Sequence, residues 1–500
     1  MKQIRCATLD GFDAKVVDVE VSFVRALPSF TIVGLAQTSI QESKERIKSA
    51  LSAIDFKFPP QKVTVNLSPS DLRKEGSHFD LPIALLVALQ KTDIDFNEFM
   101  AFGELGLDGT LKDTSTLFAI LLSLAKEKEV QKVIIPNESV AKISKIPGLE
   151  IFPVKNLEEA IAIFTQKQKG ISSGENLSYH TLTIANQNYY YLNQYPVDFK
   201  DIKGQESAKR ASLIAACGMH NILFEGSPGC GKSMSAKRLP YILPPMSLDE
   251  ILEKAKLDAL EGKEPDFTPL RPFRSPHHTS TKASIFGGGS RSAKIGEVSL
   301  ANNGILFFDE IPHFPKTVLE SLREPLEDYR VLISRVNTKI RYETKFLFIA
   351  AMNPCPCGNL LSKTKSCRCS ETEINRYKKR LSAPLLDRID IYVQMSEIEP
   401  ENKSSISSKE MSEIVKRVFT IQKERGQSEL NGKLSDEEIR RYCILDEKSE
   451  EVLHNAIRRF DLSQRAINKT YKIARTIADI DESKTIQKKH LMEALQYRFR

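Results

Sequence analysis

The residues Gly226-Ser227-Pro228-Gly229-Cys230-Gly231-Lys232-Ser233 fit the spacing G-x-x-x-x-G-K-[ST]. Glycines at these positions let backbone N–H groups close around phosphates, and a helix N-terminus adds positive potential. The pattern predicts that Lys232 reaches the β- and γ-phosphates of ATP and that Ser233 ligates Mg²⁺. A Gly-rich turn alone would only join a strand to a helix. Here the strand-like Asn221–Phe224 precedes it, and the helix it opens must stop by Pro240.

A second element supplies acid. Ile305-Leu-Phe-Phe-Asp309-Glu310 reads as a buried strand ending in two carboxylates, at the C-terminal edge where ligands bind in parallel sheets. Asp309 is expected to hold Mg²⁺ through water, and Glu310 to orient and deprotonate the attacking water. The apolar run Phe346–Ala350 leads through Ala351 and Met352 to Asn353, a polar strand end that can bond the γ-phosphate or that water. Read alone, an Asn before Pro354 is a turn residue.

A third cluster is made of thiols. Cys355-Pro-Cys357 and Cys367-Arg-Cys369 make the spacing C-x-C-x₉-C-x-C. Four thiolates can close a tetrahedral structural Zn²⁺ site with no position left open for catalysis. Four reduced thiols in an insertion are the alternative. Either suits a reducing compartment better than a disulfide framework does.

These residues need a scaffold. A chain of 500 residues divides into about three domains at roughly 150 residues each. The formal charge of +7 permits nucleic-acid binding without demanding it. No apolar run approaches the roughly 20 residues of a membrane span, and the start carries no signal-peptide pattern. Residues 1–165 read as mixed α and β, with strands at Ala14–Val24 and in Pro59–Leu67, and helices at Ser39–Ile54, Leu81–Leu89 and Leu117–Ala125. Residues 166–195 are polar and read as a linker with one strand; a DNA- or partner-facing arm using Tyr189–Tyr191 is the alternative. Residues 196–400 alternate helices with short apolar strands, which predicts a parallel α/β sheet. Residues 401–500 read as all-helical, with Ile467, Tyr471, Ala474 and Ile477 on one stripe.

Five further motifs carry a family resemblance. Phe273-Arg-Ser-Pro-His-His-Thr279, Gly296-Glu-Val-Ser-Leu-Ala-Asn-Asn-Gly304, Ala351-Met-Asn-Pro-Cys-Pro-Cys-Gly358, Leu385-Leu-Asp-Arg-Ile-Asp390 and Ala474-Arg-Thr-Ile-Ala-Asp479 resemble the YifB/ComM family of magnesium-chelatase-like AAA+ ATPases. The resemblance covers essentially the whole chain. It implies an AAA+ P-loop core with a helical lid, assembled as a cytoplasmic homo-oligomer, a hexameric ring. The ComM branch implies a helicase that extends DNA branches during natural transformation. By the same resemblance, Arg388 is the arginine finger reaching the neighbouring subunit's γ-phosphate, Arg465 is sensor 2 in the lid, and Ile202 is a contact to the adenine. Without the family, each arginine would read as a surface salt bridge.

Two insertions are expected to face the substrate: residues 273–304, with a glycine tip at Gly287-Gly-Gly289, and residues 329–346, a hairpin carrying Arg330, Arg335, Lys339 and Arg341. Arg335 and Lys339 are the candidate contacts to single-stranded or branched DNA, through phosphates rather than bases. Charged strand edges that only prevent aggregation are the alternative.

The first 165 residues resemble the proteolytic domain of Lon, on Gly103-Glu-Leu-Gly-Leu-Asp-Gly109 and Val133-Ile-Ile-Pro136. That family uses a serine nucleophile and a lysine base. The nucleophile position falls near His78 or Phe79, with Ser77 off register, and the lysine position holds Phe118. Phenylalanine accepts no proton, so the domain reads as a non-proteolytic scaffold. Two other motor classes stay open, a protein-remodelling chaperone and a chelatase-type motor subunit. Nothing in the chain resembles a chelatase's separate catalytic subunit or its integrin-like domain.

Overall fold

The computed structural model describes residues 2–166, 168–174, 177–288, 295–334, 339–397 and 405–498. The chain forms two compact units. One is Met1–Ser178 together with Leu252–Phe267, and the other is Tyr179–Ile251 together with Thr268–Arg500.

In the first unit an eight-stranded mixed sheet begins with the hairpin Lys2–Asp10 and Asp13–Val24. Gly11 takes a φ of 72° at its turn, a conformation that favours glycine. The second strand alternates, burying Val17, Val19 and Val21 on one face. Lys62–Ser68 pairs beside it. The helix Thr38–Ala53 buries Ile40, Ser43, Ile47, Ala50 and Leu51 and turns its charges outward. Asp80–Ala88 and Leu117–Lys126 are apolar almost all round and are buried accordingly. The segment Leu252–Phe267, distant in sequence, belongs to this unit: Phe267 meets Phe118 edge-on at 5.3 Å, and Lys256 lies over the Phe12 ring.

Residues 166–195 hold more structure than a linker with one strand. Ile171–Ser172 extends the first sheet. His180–Ile184 and Gln187–Tyr191 form a hairpin that pairs on with Met246–Ser247. Ala185 and Asn186 take φ values of 49° and 62° at its two-residue turn, which suits the twist of paired strands. Ile184 and Tyr189 are buried with Phe419, and the Tyr189 and Phe419 rings meet at 4.9 Å. Polar composition hid the hairpin, because only one of its faces is covered.

The core of the second unit is a parallel sheet of Ile222–Gly226 (β1), Phe273–Arg274 (β2), Ile305–Phe308 (β3), Leu347–Met352 (β4) and Ile391–Met395 (β5), in the spatial order β2-β3-β4-β1-β5. This is the mixed α/β arrangement of an AAA+ P-loop fold. Strands buried on both faces carry continuous apolar runs, as β3 and β4 do. The order sets β4 between β1 and β3, so the three C-terminal ends open side by side. The helices Ser408–Glu424 and Gln464–Ile480 pack into the same core through Met411, Val415, Val418, Ile473, Ala474 and Ile477. Arg330–Ser334 and Lys339–Glu343 form the expected hairpin. Among the described residues no helix is long and apolar enough to cross a membrane.

Candidate functional site

The glycine-rich loop joins β1 to the helix Lys232–Arg238. Gly229 and Gly231 take φ values of 82° and 99°, so the loop turns where a side chain would strain it. A Cβ on Gly226 would lie 2.7 Å from Cys230 Sγ and 2.8 Å from Met395 O. The chain can pass there only as glycine.

Side chains from three strand ends meet at this loop. Lys232 Nζ donates to Gly226 O at 2.6 Å, to Ser227 O at 3.0 Å and to Asn353 Oδ1, which follows β4, at 3.2 Å. Burial lowers the Lys232 amine, while Cys230, Asp309 and Glu310 oppose the shift. Ser233 Oγ donates to Asp309 Oδ2 at 2.8 Å, joining the first helical turn to the end of β3. A hydroxyl and a carboxylate this close fit one hard cation shell. Glu310 is exposed, with a left-handed φ of 51°, and its N–H donates to Asp309 Oδ1 at 3.0 Å. That backbone conformation is sparsely populated by residues other than glycine. Ile202 is buried, with Cγ2 3.7 Å from where a Gly231 Cβ would sit, so it packs on the loop. Ser227 is buried, Pro228 is exposed, and Cys230 is a buried thiol raised by desolvation.

The two arginines are elsewhere. Arg388 precedes β5, and its carbonyl accepts from Asn221 Nδ2 at 2.8 Å. Asn221 stands just before β1, whereas the glycine-rich loop follows it. About five residues at ~3.3 Å each therefore part Arg388 from the loop of its own subunit, further than an arginine side chain extends. Arg465, just inside the helix Gln464–Ile480, shares a partner with Arg388: both donate to Glu327. Sequence reading missed Glu327, because its role appears only when segments 61 and 138 residues away fold onto it.

The four cysteines come together. The Sγ atoms of Cys355, Cys357, Cys367 and Cys369 lie within 4.8 Å of one another, with Cys355 to Cys357 at 3.4 Å and Cys367 at 3.7 Å from both. Ligands about 2.3 Å from a tetrahedral ion need such separations, so the cluster can hold a metal. Backbone N–H groups at Arg368 and Asn359 lower the Cys357 thiol to about 6, which favours thiolate. A Cβ on Gly358 would sit 2.7 Å from Pro228 Cδ, so this turn rests on the glycine-rich loop.

Of the proposed DNA contacts, Arg335 lies outside the described residues, as does Gly289. Lys339 begins the second hairpin strand, opposite Ser334. In the first unit Phe118 is fully buried, and Ser77 Oγ is bonded to Glu104. Lys256 Nζ donates to Ser123 Oγ at 2.8 Å, a pair absent from the sequence reading. Both residues are buried, which denies that serine a substrate.

Comparison with known proteins agrees along the length. Models described as magnesium chelatase subunit ChlI match residues 198–403, as subunit ChlI of Mg-chelatase residues 19–139, and as the ChlI C-terminal part residues 405–498. The chain is 36% identical over 498 residues to competence protein ComM of Haemophilus influenzae, covering 98% of this chain and 95% of that one. It is 35% identical to YifB of Escherichia coli over 497 residues, with the same coverage. Lon protease 2 of Bacillus subtilis is 26% identical over 232 residues, 44% of this chain and 36% of that one.

Proposed function

The chain belongs to the YifB/ComM family of magnesium-chelatase-like AAA+ proteins, and from that premise we propose that it is an ATP-hydrolysing ring motor that moves along DNA. The observation that carries the ATPase reading is the meeting of Lys232 with Asn353 and of Ser233 with Asp309 at one set of strand ends. Lys232 and the loop amides bind the phosphates. Ser233 and Asp309 hold Mg²⁺, which neutralises phosphate charge when bound. Glu310 accepts a proton from the attacking water, Asn353 orients that water or the γ-phosphate, and Ile202 packs against the base.

A finger at Arg388 needs a second subunit, because its own phosphate loop lies across the sheet. The ring, read as a hexamer, rests on the family resemblance and would supply such a neighbour. Fixed guanidinium groups from the neighbour would stabilise charge in the transition state. DNA as the track is supported by the basic hairpin Arg330–Glu343 and by similarity to a competence protein, which suggests branch extension during DNA uptake in the cytoplasm. The amino-terminal unit is assigned as a non-proteolytic scaffold, since Phe118 occupies the lysine position of the Lon resemblance.

Unwinding of a forked or three-stranded DNA by wild-type protein, with Glu310→Gln as control, tests this reading. ATP hydrolysis stimulated by DNA, and weakened in Arg335→Ala or Lys339→Ala, is expected. Stimulation by an unfolded protein and not by DNA would move the assignment to a remodelling chaperone.

A further inference from the structure

We infer that Glu327 is a positioning residue that holds Arg388 and Arg465 together as one two-arginine unit for the neighbouring subunit's nucleotide. The inference rests on the trans role proposed above for Arg388. Glu327 ends the short helix Arg323–Glu327. Its oxygens are divided between the arginines: Oε2 accepts from Arg388 Nη2, and Oε1 accepts from Arg465 Nη2. Among the described residues Glu327 is the ion-pair partner of both.

The two arginines differ in how far they are held by anything else. The Arg388 side chain is 8% exposed and also donates to Pro384 O. Burial lowers its guanidinium, and the charge of Arg323 adds to that shift. The Arg465 side chain is 53% exposed. Its guanidinium is therefore directed by the shared carboxylate rather than by packing. Two guanidinium groups this close, with Arg323 near, repel one another. Asp387, Asp328 and Glu320 also offset the positive charge at Arg388, but Glu327 is the carboxylate bonded to both arginines, and it sets their spacing. Arg388 lies beside the start of β1, whereas its own glycine-rich loop follows the end of that strand, so the pair is remote from that loop. A γ-phosphate from a neighbour would meet two donors already set side by side, which is what a planar, forked cation pair needs to bind it in register.

The bland alternative is a surface ion pair, which contributes about 0–1 kcal/mol to stability and nothing to turnover. Steady-state ATP hydrolysis by the full-length protein separates the two. Misplacing a group that acts in the transition state lowers rates by up to ~10²-fold, so Glu327→Gln should lower kcat at least about tenfold. Its KM for ATP should stay within about twofold, since ground-state binding belongs to the Lys232 loop. Glu327→Asp, which keeps the charge, should recover part of the rate. In an Arg388→Ala/Arg465→Ala background, Glu327→Gln should remove nothing further, because residues acting as a unit are not additive.

A Glu327→Gln protein with full or raised kcat overturns the inference. So does the same fractional loss in the double-arginine background. Arginine variants that are slow beside an unaffected Glu327→Gln would retire Glu327 and leave the finger standing. Arginine variants with wild-type rates, where Lys232→Ala has none, would retire the finger and Glu327 together.

Discussion

Asn353 accepts a hydrogen bond from Lys232, Oδ1 to Nζ 3.2 Å, across the gap between β4 and the helix that follows β1. Strand order makes this contact, since β4 lies beside β1 and ends level with it. The ammonium is held by two loop carbonyls as well. Removing either partner should therefore have different consequences. Lys232→Ala takes away the cation that meets phosphate and should abolish ATP binding in equilibrium titration with a fluorescent nucleotide. Asn353→Ala should leave affinity within about threefold while lowering kcat by about 10²-fold, the loss typical of one preorganised donor at a reacting centre.

Glu310 follows Asp309 at the end of β3 and acts on the Lys232 ammonium by charge alone among the described contacts. It is exposed, with a left-handed backbone, and its N–H donates to Asp309 Oδ1 at 3.0 Å. Glu310→Gln keeps shape and removes the proposed base. Nucleotide affinity should persist while hydrolysis falls by roughly 10²–10⁴-fold, the contribution usual for a general base. Sedimentation with ATP should then find assembled rings that do not turn over. Mixing Arg388→Ala with Lys232→Ala subunits should restore some hydrolysis, because each supplies what the other lacks across an interface. Mixtures no faster than the separate variants would count against action in trans.

How much of this was legible beforehand follows from what each residue depends on. The phosphate loop, β3 with Asp309 and Glu310, and β4 with Asn353 were readable because apolar runs and glycines act locally. The helices Thr38–Ala53 and Leu117–Lys126 stood out by periodicity and by continuous apolarity. The hairpin 180–191 did not, since its apolar side is completed by Phe419, more than 200 residues onward. Glu327 was invisible for the same reason, and so was Lys256 beside Ser123. Each is defined by a partner that only the fold supplies.

The cysteine cluster should be tested by its metal and not only by rate. Protein prepared without chelator should carry about one zinc per chain by elemental analysis, and Cys357→Ser should carry much less. Because Gly358 rests on Pro228, losing the knuckle should loosen the phosphate loop. We expect a lower Tm and faster amide exchange across residues 226–231. Full zinc content in Cys357→Ser would remove that residue from the ligand set.

Lys433 gives a dependence on pH that owes nothing to catalysis. It is buried beneath the Tyr329 ring, with Asn221 Oδ1 at 3.3 Å, and burial lowers its amine to about 8 from an ordinary 10.5. Below about pH 8 both the folded and the unfolded chain carry the proton, so the full penalty of a buried cation is present. Between about 8 and 10.5 the unfolded chain keeps the proton that the folded chain sheds, so stability from this group rises with pH. Lys433→Met keeps volume and removes the charge, and Asn221 Oδ1 still accepts from Phe348 N at 3.1 Å. At pH 7 the variant should be more stable by about 1–3 kcal/mol in urea unfolding, near the gain seen when buried charges are replaced by apolar groups. At pH 10 most of that gain should be gone. A difference between the two proteins that is the same at both pH values would mean that Lys433 is not a buried cation in the folded chain.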